Sequence, residues 1–426
     1  MNLPDAGITD PHIRIFRDRA YLYASHDFDR ANTRFDMRDW QVWSSDNLLD
    51  WSLESTLKPE QTYIGKPIQG CWATDAVEHK GRYYWFFSEV VPQEDRRQIG
   101  VVVGERPGGP WKDYLKGPFL KNGIVPTEVY DPALFKDDDG RIYIIFGVWD
   151  YYIAPLLDDM TGIAEAPRRL EILDPEGPYG KGKTDDKVFL HRRNGLYYLS
   201  WGCYYAVSHT LMGPYQCKGS FLCAERIDFK MRQPTWPHGP TQGRHGSFFD
   251  WHNQSYFTYC DMSHSGNRYF RSSWISYVHY LPGGDIDPIW IQTWGVGQYF
   301  PGRHAVTAGH YFAADQVEKE LDDDGSVVVR PAVSGGFVTF PRVEVPTASA
   351  RRLILKFKGN PGETVVSVRR HNPSGVLLGQ GRGAISGEGV RRLTIDLPGN
   401  ARREDLCFVF EAPKVNRLLF HSFTIE

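Results

Sequence analysis

The sequence is poor in four things. Helical periodicity is hard to find, because 28 prolines and 42 glycines interrupt the 426-residue chain. Net charge is small, −3 at neutral pH, so there is no electrostatic footprint for nucleic acid or an anionic membrane. Cysteine is scarce: six residues lie scattered with no CxxC pair, which excludes a zinc ribbon. No apolar run approaches the ~20 residues of a membrane-spanning helix. Met1–Thr9 also lacks the basic segment and apolar run of a secretory leader. The expectation is a cytoplasmic chain with free thiols, a signal peptide already removed being the alternative.

What the chain has is aromatics, 14% of residues with 13 Trp and 23 Tyr, and a phrase that returns five times. Its clearest copy is Asp131-Pro132-Ala133-Leu134-Phe135, then Asp137-Asp138-Asp139-Gly140, then Arg141-Ile142-Tyr143-Ile144-Ile145-Phe146. This spells strand, tight turn, strand, a β-hairpin. The second half recurs at Asp18–Tyr23, Lys80–Phe86, Asn194–Leu199 and His252–Phe257. Counting nine residues back from Arg19, Gly81, Gly140, Gly195 and Gln254 reaches Asp10, Trp72, Asp131, Asp186 and His245. Their separations of 62, 59, 55 and 59 residues predict a five-bladed β-propeller, with the start of each inner strand facing the central channel.

The texture changes near Tyr299–Gly309. Beyond it, Ser326–Val329, Gly336–Phe340, Leu353–Phe357, Thr364–Val368, Arg392–Leu397 and Asp405–Phe410 read as short alternating strands. The expected fold is therefore all-β: a propeller over residues 1–300, then a jelly-roll-like β-sandwich over 301–426.

Three carboxylates at one repeat phase point to chemistry. Carboxylates converging on one axis repel and shift each other's pKa values, a costly arrangement without a use. Glycosidic hydrolysis needs two carboxyl groups in opposed roles, an acid for the leaving oxygen and a base for water. The run Asp137–Gly140, although acidic, is better explained as a hairpin turn than as a calcium loop. Trp72, Asp75, Trp149 and Trp201 are candidates for a sugar-binding wall, and Arg271 for reaching ligand hydroxyls.

Thr9-Asp10-Pro11-His12, Tyr21–Asp27, Trp72-Ala73-Thr74-Asp75, Tyr130-Asp131-Pro132 and Arg244-His245-Gly246-Ser247 together resemble glycoside hydrolase family 43, over about 290 residues and in the family's order. The resemblance implies an inverting glycosidase on arabinose- or xylose-containing glycans. It makes Asp10 the general base, Asp131 the carboxylate that orients the acid and tunes its pKa, and His245 the channel histidine that contacts a calcium or water cluster. It implies no redox or nucleotide cofactor, only a structural calcium in the channel. The family's acid, a Glu opening blade four, is where this sequence departs. The repeat phase lands on Asp186, whereas Glu176 of Glu176-Gly177-Pro178-Tyr179 mimics the local motif 19 residues before Gly195. Either is the candidate acid. The C-terminal strands resemble carbohydrate-binding module family 6 through Gly336–Val343 and Leu418–Phe423, with a packing role as the alternative to glycan binding.

The expected function is exo-acting hydrolysis of arabinosyl or xylosyl oligosaccharides, with oligosaccharide as partner and neither nucleic acid nor membrane. The alternatives are another linkage, such as a galactoside or unusual furanoside, or a non-catalytic glycan-binding propeller.

Overall fold

The computed structural model describes residues 6–228, 244–346, 351–386, 389–398 and 402–426. Residues cluster into two compact units. One comprises 1–249, 256–276 and 286–293; the other comprises 250–255, 277–285 and 294–426.

The first unit carries the blades. Blade one pairs Ile8–Phe16, Arg19–Asp27, Met37–Ser45 and Ser52–Leu57 in sequence order. Blade two runs Cys71–His79, Arg82–Val91, Arg96–Gly104 and Lys112–Asp113; blade three runs Ala133–Lys136, Ile142–Phe146, Tyr152–Pro155 and Arg168–Arg169. Blade four orders Val188–Arg193, Leu196–Trp201, Tyr204–Ser208 and Tyr215–Ser220, with Ile172–Leu173 added in parallel at its edge. Gly246–Trp251, Gln254–Asp261 and Ser272–Val278 make the fifth sheet, of which residues 250–251, 254–255 and 277–278 are counted with the second unit.

Four inner hairpins turn on two residues, both with positive φ: Arg17-Asp18, Lys80-Gly81, Asn194-Gly195 and His252-Asn253. That backbone suits the right-handed twist of paired strands. Blade three differs. Asp137 N–H donates to the Arg141 carbonyl at 2.9 Å, so its turn holds the three residues Asp138, Asp139 and Gly140.

Apolar layers fill the space between blades. Tyr23, Trp40 and Val42 of blade one pack with Ala76, Trp85 and Phe87 of blade two, all at most 1% exposed. Fully burying such side chains is worth roughly 1.5–3 kcal/mol each. Blade five closes on blade one: Ile13 N–H donates to Ser247 Oγ at 3.1 Å, and Ser273 Oγ–H donates to the Ile8 carbonyl at 2.7 Å.

The second unit is a two-sheet sandwich. One sheet orders Val317–Leu321, Val327–Pro331, Leu418–Ile425, Arg352–Gly359 and Arg391–Asp396; the other orders Ala313–Asp315, Phe337–Glu344, Arg403–Glu411, Gly362–Arg370 and Leu377–Ile385. The strands predicted from alternation are all here. Alternate residues of Arg352–Gly359 turn inward, and Phe340, Phe357, Phe408, Phe410, Phe420 and Phe423 are fully buried between the sheets. The exposed large apolar residues among those described in 294–426 are aliphatic: Leu321, Val333, Val376, Leu377 and Val390. A sugar-stacking platform uses flat aromatic faces.

Candidate active site

The axial positions follow from strand pairing. Six residues before the residue preceding each turn (Phe16, His79, Asp137, Arg193 and Trp251) stand Asp10, Ala73, Asp131, Lys187 and His245. The phase counted from the sequence is therefore correct for Asp10, Asp131 and His245 and one residue early in blades two and four. Trp72 and Asp186 are neighbours of the slot, not its occupants. The cause is where each count starts: Arg19 and Gln254 lie one residue past their two-residue turns and Gly140 closes a three-residue turn, so nine back fits, whereas Gly81 and Gly195 close two-residue turns and need eight.

The backbone marks the same slots. Asp10, Asp131 and Lys187 have φ of +48°, +55° and +72°. A non-glycine residue there costs on the order of 1–3 kcal/mol, and such residues cluster at functional sites. Asp10 lies in a break of register between Thr9 and His12, and Ala73 in one between Trp72 and Thr74. β-Bulges of this kind re-aim side chains.

These slots open on a pocket of about 270 Å³. Its acids are Asp10, Asp131, Asp185 and Asp186, and its basic side chains are Lys187, His245, Arg268 and Arg271. Phe35, Trp72, Tyr130 and Tyr179 supply aromatic walls, with Met37 between them. Trp72 meets Tyr130 edge to face at 5.4 Å.

Asp10 is buried, yet held as a carboxylate. Burial favours its neutral form, but the Arg271 guanidinium and the Ser25 hydroxyl outweigh it and hold the pKa near 2. Arg271 Nη1 donates to Oδ1 at 2.8 Å and Ser25 Oγ to Oδ2 at 2.6 Å. Asp131 goes the other way. Burial, then the charge on Asp10, raises it to about 7, against the pull of Lys187. His245 stands between them, Nδ1 being 3.6 Å from Asp10 and 3.9 Å from Asp131. Burial lowers the His245 pKa well below normal, so its imidazole is neutral. Two carboxyl groups in one pocket thus have opposed protonation, the division that acid–base chemistry requires.

Lys187 and its neighbours complete the floor. The Lys187 backbone N–H donates to Asp131 Oδ2 at 3.2 Å. Its ammonium bridges two carboxylates, Asp185 Oδ2 at 3.0 Å and Asp186 Oδ1 in closer contact. Asp185 is anchored as well, its carbonyl accepting the Tyr151 hydroxyl at 2.6 Å. Asp186 is the more open of the two, with its side chain 32% exposed against 6% for Asp185.

Four sequence-nominated residues stand elsewhere. Asp75 lies fully buried, outside the pocket lining. Arg14 donates to it through Nε at 2.8 Å, and His12 Nδ1 is 3.5 Å away. Burial opposes ionisation, but Arg14 and His12 hold Asp75 strongly acidic. Trp201 is core, 0% exposed, its Nε1–H donating to the Glu176 carbonyl at 2.9 Å. Glu176 itself sits on a short ladder with Gly180–Lys181, away from the pocket lining. Trp149, 47% exposed, lines a separate cavity of about 460 Å³ with Arg169, Lys183 and Thr184. It meets residues of the pocket lining through Tyr179, edge to face at 5.2 Å, and through its backbone N–H, which donates to the Asp185 carbonyl at 3.2 Å.

Sequence reasoning missed Asp185, Lys187 and Tyr179. Lys187 was discoverable: counting from the last paired residue rather than from the turn selects it.

The channel residues fit calcium poorly. The ion takes six to eight oxygens, whereas the buried atoms without hydrogen bonds here include His245 Nε2 and both nitrogens of His12. Asp75 is already taken by Arg14. Among the described residues, the three-ligand grouping within 4.8 Å is Asp322, Asp324 and His421, in the sandwich.

The sequence profile described as Glycosyl hydrolases family 43 matches residues 7–284. A "Xylosidase/arabinosidase" of Bacteroides ovatus is 28% identical over 272 residues, 52% of this chain and 79% of that protein. "Xylosidase/arabinosidase 43A" of Humicola insolens is 30% identical over 278 residues, 51% of this chain and 79% of that one. A crystal structure of a family 43 arabinoxylan arabinofuranohydrolase from Bacillus subtilis, in complex with cellotetraose, matches with TM-score 0.55 and 18% identity, over 99% of this chain and 96% of that one. The chain is thus a glycoside hydrolase and belongs to glycosyl hydrolase family 43.

Proposed function

We propose that the chain removes terminal arabinosyl or xylosyl residues from short oligosaccharides with inversion at the anomeric carbon. The observation that carries this reading is the pairing of an ionised Asp10 with a raised Asp131 on either side of neutral His245. Relatives named xylosidase/arabinosidase support the pentose.

In this reading the Asp10 carboxylate takes a proton from water as the oxygen attacks the anomeric carbon. Arg271 keeps Asp10 ionised and, through Asp27, fixes its position. Asp186 delivers a proton to the leaving oxygen. It lines the pocket, whereas Glu176 does not. Asp131, joined to the Lys187 backbone, orients that side of the site. Trp72 and Tyr130 form the wall of the sugar subsite. No step requires a redox or nucleotide cofactor, and none is routed through calcium. The sandwich, lacking exposed aromatics among its described residues, serves packing better than glycan binding.

The test is a panel of 4-nitrophenyl glycosides with wild type, D10N, D186A and E176A. Wild type should cleave the α-L-arabinofuranoside or β-D-xyloside. D10N should lose about 10²–10⁴-fold in kcat. D186A should slow and E176A should not. Preference for a galactofuranoside would overturn the pentose assignment, and binding of oligosaccharide without turnover would overturn the enzymatic one.

A further inference from the structure

A carboxyl group that protonates a leaving oxygen must hold a proton when the substrate arrives. Asp186 is badly placed to do so alone, because the Lys187 ammonium is in direct contact with Oδ1. A cation at that distance favours the carboxylate. The neighbouring Asp185 lies 3.0 Å from the same ammonium. The exchangeable proton on this side of the pocket therefore rests on nitrogen.

Lys187 is also no surface lysine. It occupies the inner-strand slot that holds Asp10 in blade one and Asp131 in blade three, with the same left-handed backbone. Its side chain is 10% exposed and lines the catalytic pocket. Lysine can act as a general acid when burial and neighbours bring its proton within reach.

We propose that the Asp186–Lys187 ion pair is the proton donor of this enzyme, with Lys187 holding the proton in the resting state. The inference rests on the proposed hydrolytic function and on Asp186 facing the leaving group. In the step, an Nζ–H bond of Lys187 breaks and its proton passes to Asp186 Oδ1. Asp186 passes a proton to the glycosidic oxygen as the bond from that oxygen to the anomeric carbon breaks. On the opposite face, water forms the new bond to the anomeric carbon and gives its proton to Asp10. The turnover ends with Lys187 neutral and Asp10 protonated, and solvent water carries one proton from Asp10 back to Lys187. No oxidant, reductant or metal enters the balance.

A proton-donating Lys187 is separable from a structural one. Arginine keeps the positive charge and the contacts to both carboxylates but does not give up its proton in proteins. Methionine keeps the length of the stem without the charge. K187R and K187M are compared with wild type on two pentosides of the same sugar. One has 2,4-dinitrophenol as leaving group, which departs without protonation; the other is the unactivated disaccharide, which needs it. Circular dichroism and the thermal midpoint of each variant confirm folding.

The proposal expects both variants to keep most of their kcat on the dinitrophenyl glycoside and to lose at least about 10²-fold on the disaccharide, the size of a general-acid contribution. K187R should not rescue. Restoration of disaccharide hydrolysis by K187R would overturn the proposal, because charge alone would then suffice. Equal losses on both substrates, or unfolding of both variants, would assign Lys187 a purely structural role and overturn it as well. Failure of wild-type enzyme to cleave either glycoside would instead refute the proposed function itself.

Discussion

Arg271 holds Asp10 and Asp27 at once: Nη1 lies 2.8 Å from Asp10 Oδ1, and Nη2 lies 3.0 Å from Asp27 Oδ1. The fork ties blade five to two points of blade one and keeps the proposed base ionised. Substituting lysine leaves a charge but not the two-sided geometry. R271K should therefore let the Asp10 pKa rise from its depressed value. The acidic limb of kcat/KM should move to higher pH, so activity is lost earlier as the solution is acidified. A pH profile of wild type and R271K measures this; an unmoved acidic limb would mean that Arg271 does not set the state of Asp10.

Asp131 makes a prediction about stability. Its folded pKa near 7 lies above the ordinary carboxylate value of ~3.9. Its favourable contribution is full below pH ~4 and is lost as pH rises through the folded value. Above that the buried charge costs on the order of a few kcal/mol. An asparagine in its place stays neutral at every pH and still accepts from the Lys187 N–H. D131N should thus melt near wild type at pH 4 and above it at pH 8, while losing activity at both. Thermal unfolding at the two pH values decides, and a constant difference between the proteins would contradict the raised pKa.

The second cavity bears on substrate length. Trp149 is half-exposed, has φ of +66°, and leans edge to face on Tyr179 of the catalytic pocket. Glycine accepts that backbone without strain, so W149G removes the ring and little else. If Trp149 carries the leaving side of the glycan, KM for a pentose trisaccharide should rise about tenfold, equivalent to ~1.4 kcal/mol. The 4-nitrophenyl glycoside should be unaffected. Equal KM changes on both would place Trp149 outside substrate binding.

Metal removal offers a further test. The channel presents imidazole nitrogens and an Arg14-paired Asp75 rather than a shell of oxygens. Exhaustive chelation should leave kcat/KM unchanged. Loss of activity restored by calcium would show that an ion in the channel supports the site.

The architecture was legible because hairpin chemistry is local. Turn residues at Lys80-Gly81 and Asn194-Gly195, flanked by aromatic and β-branched strands, announce each blade, and the alternation of Leu353, Leu355 and Phe357 announces the sandwich. Asp10, Asp131 and His245 were legible as site residues for the same reason, their distance from a turn. Lys187 was lost by one residue because Gly195 lies inside its two-residue turn whereas Arg19 and Gln254 lie just past theirs, and the bounds of a turn are set by backbone pairing that the sequence only hints at. Trp201 misled because aromatic content alone does not separate a wall from a core: its ring fills the space against Tyr151 and its Nε1–H is spent on a carbonyl. Tyr179 and Asp185 reach the pocket from the connection before blade four, whose path no local periodicity encodes.

The proposed chemistry turns on Asp10 activating water for direct attack on the anomeric carbon. Its signature is the configuration of the first-formed sugar, read by proton NMR during hydrolysis of a β-D-xyloside, before mutarotation. With Asp10 acting as the base, α-xylose is the initial product. Initial release of β-xylose would mean retention through a covalent intermediate, and would contradict Asp10 as a base acting on water.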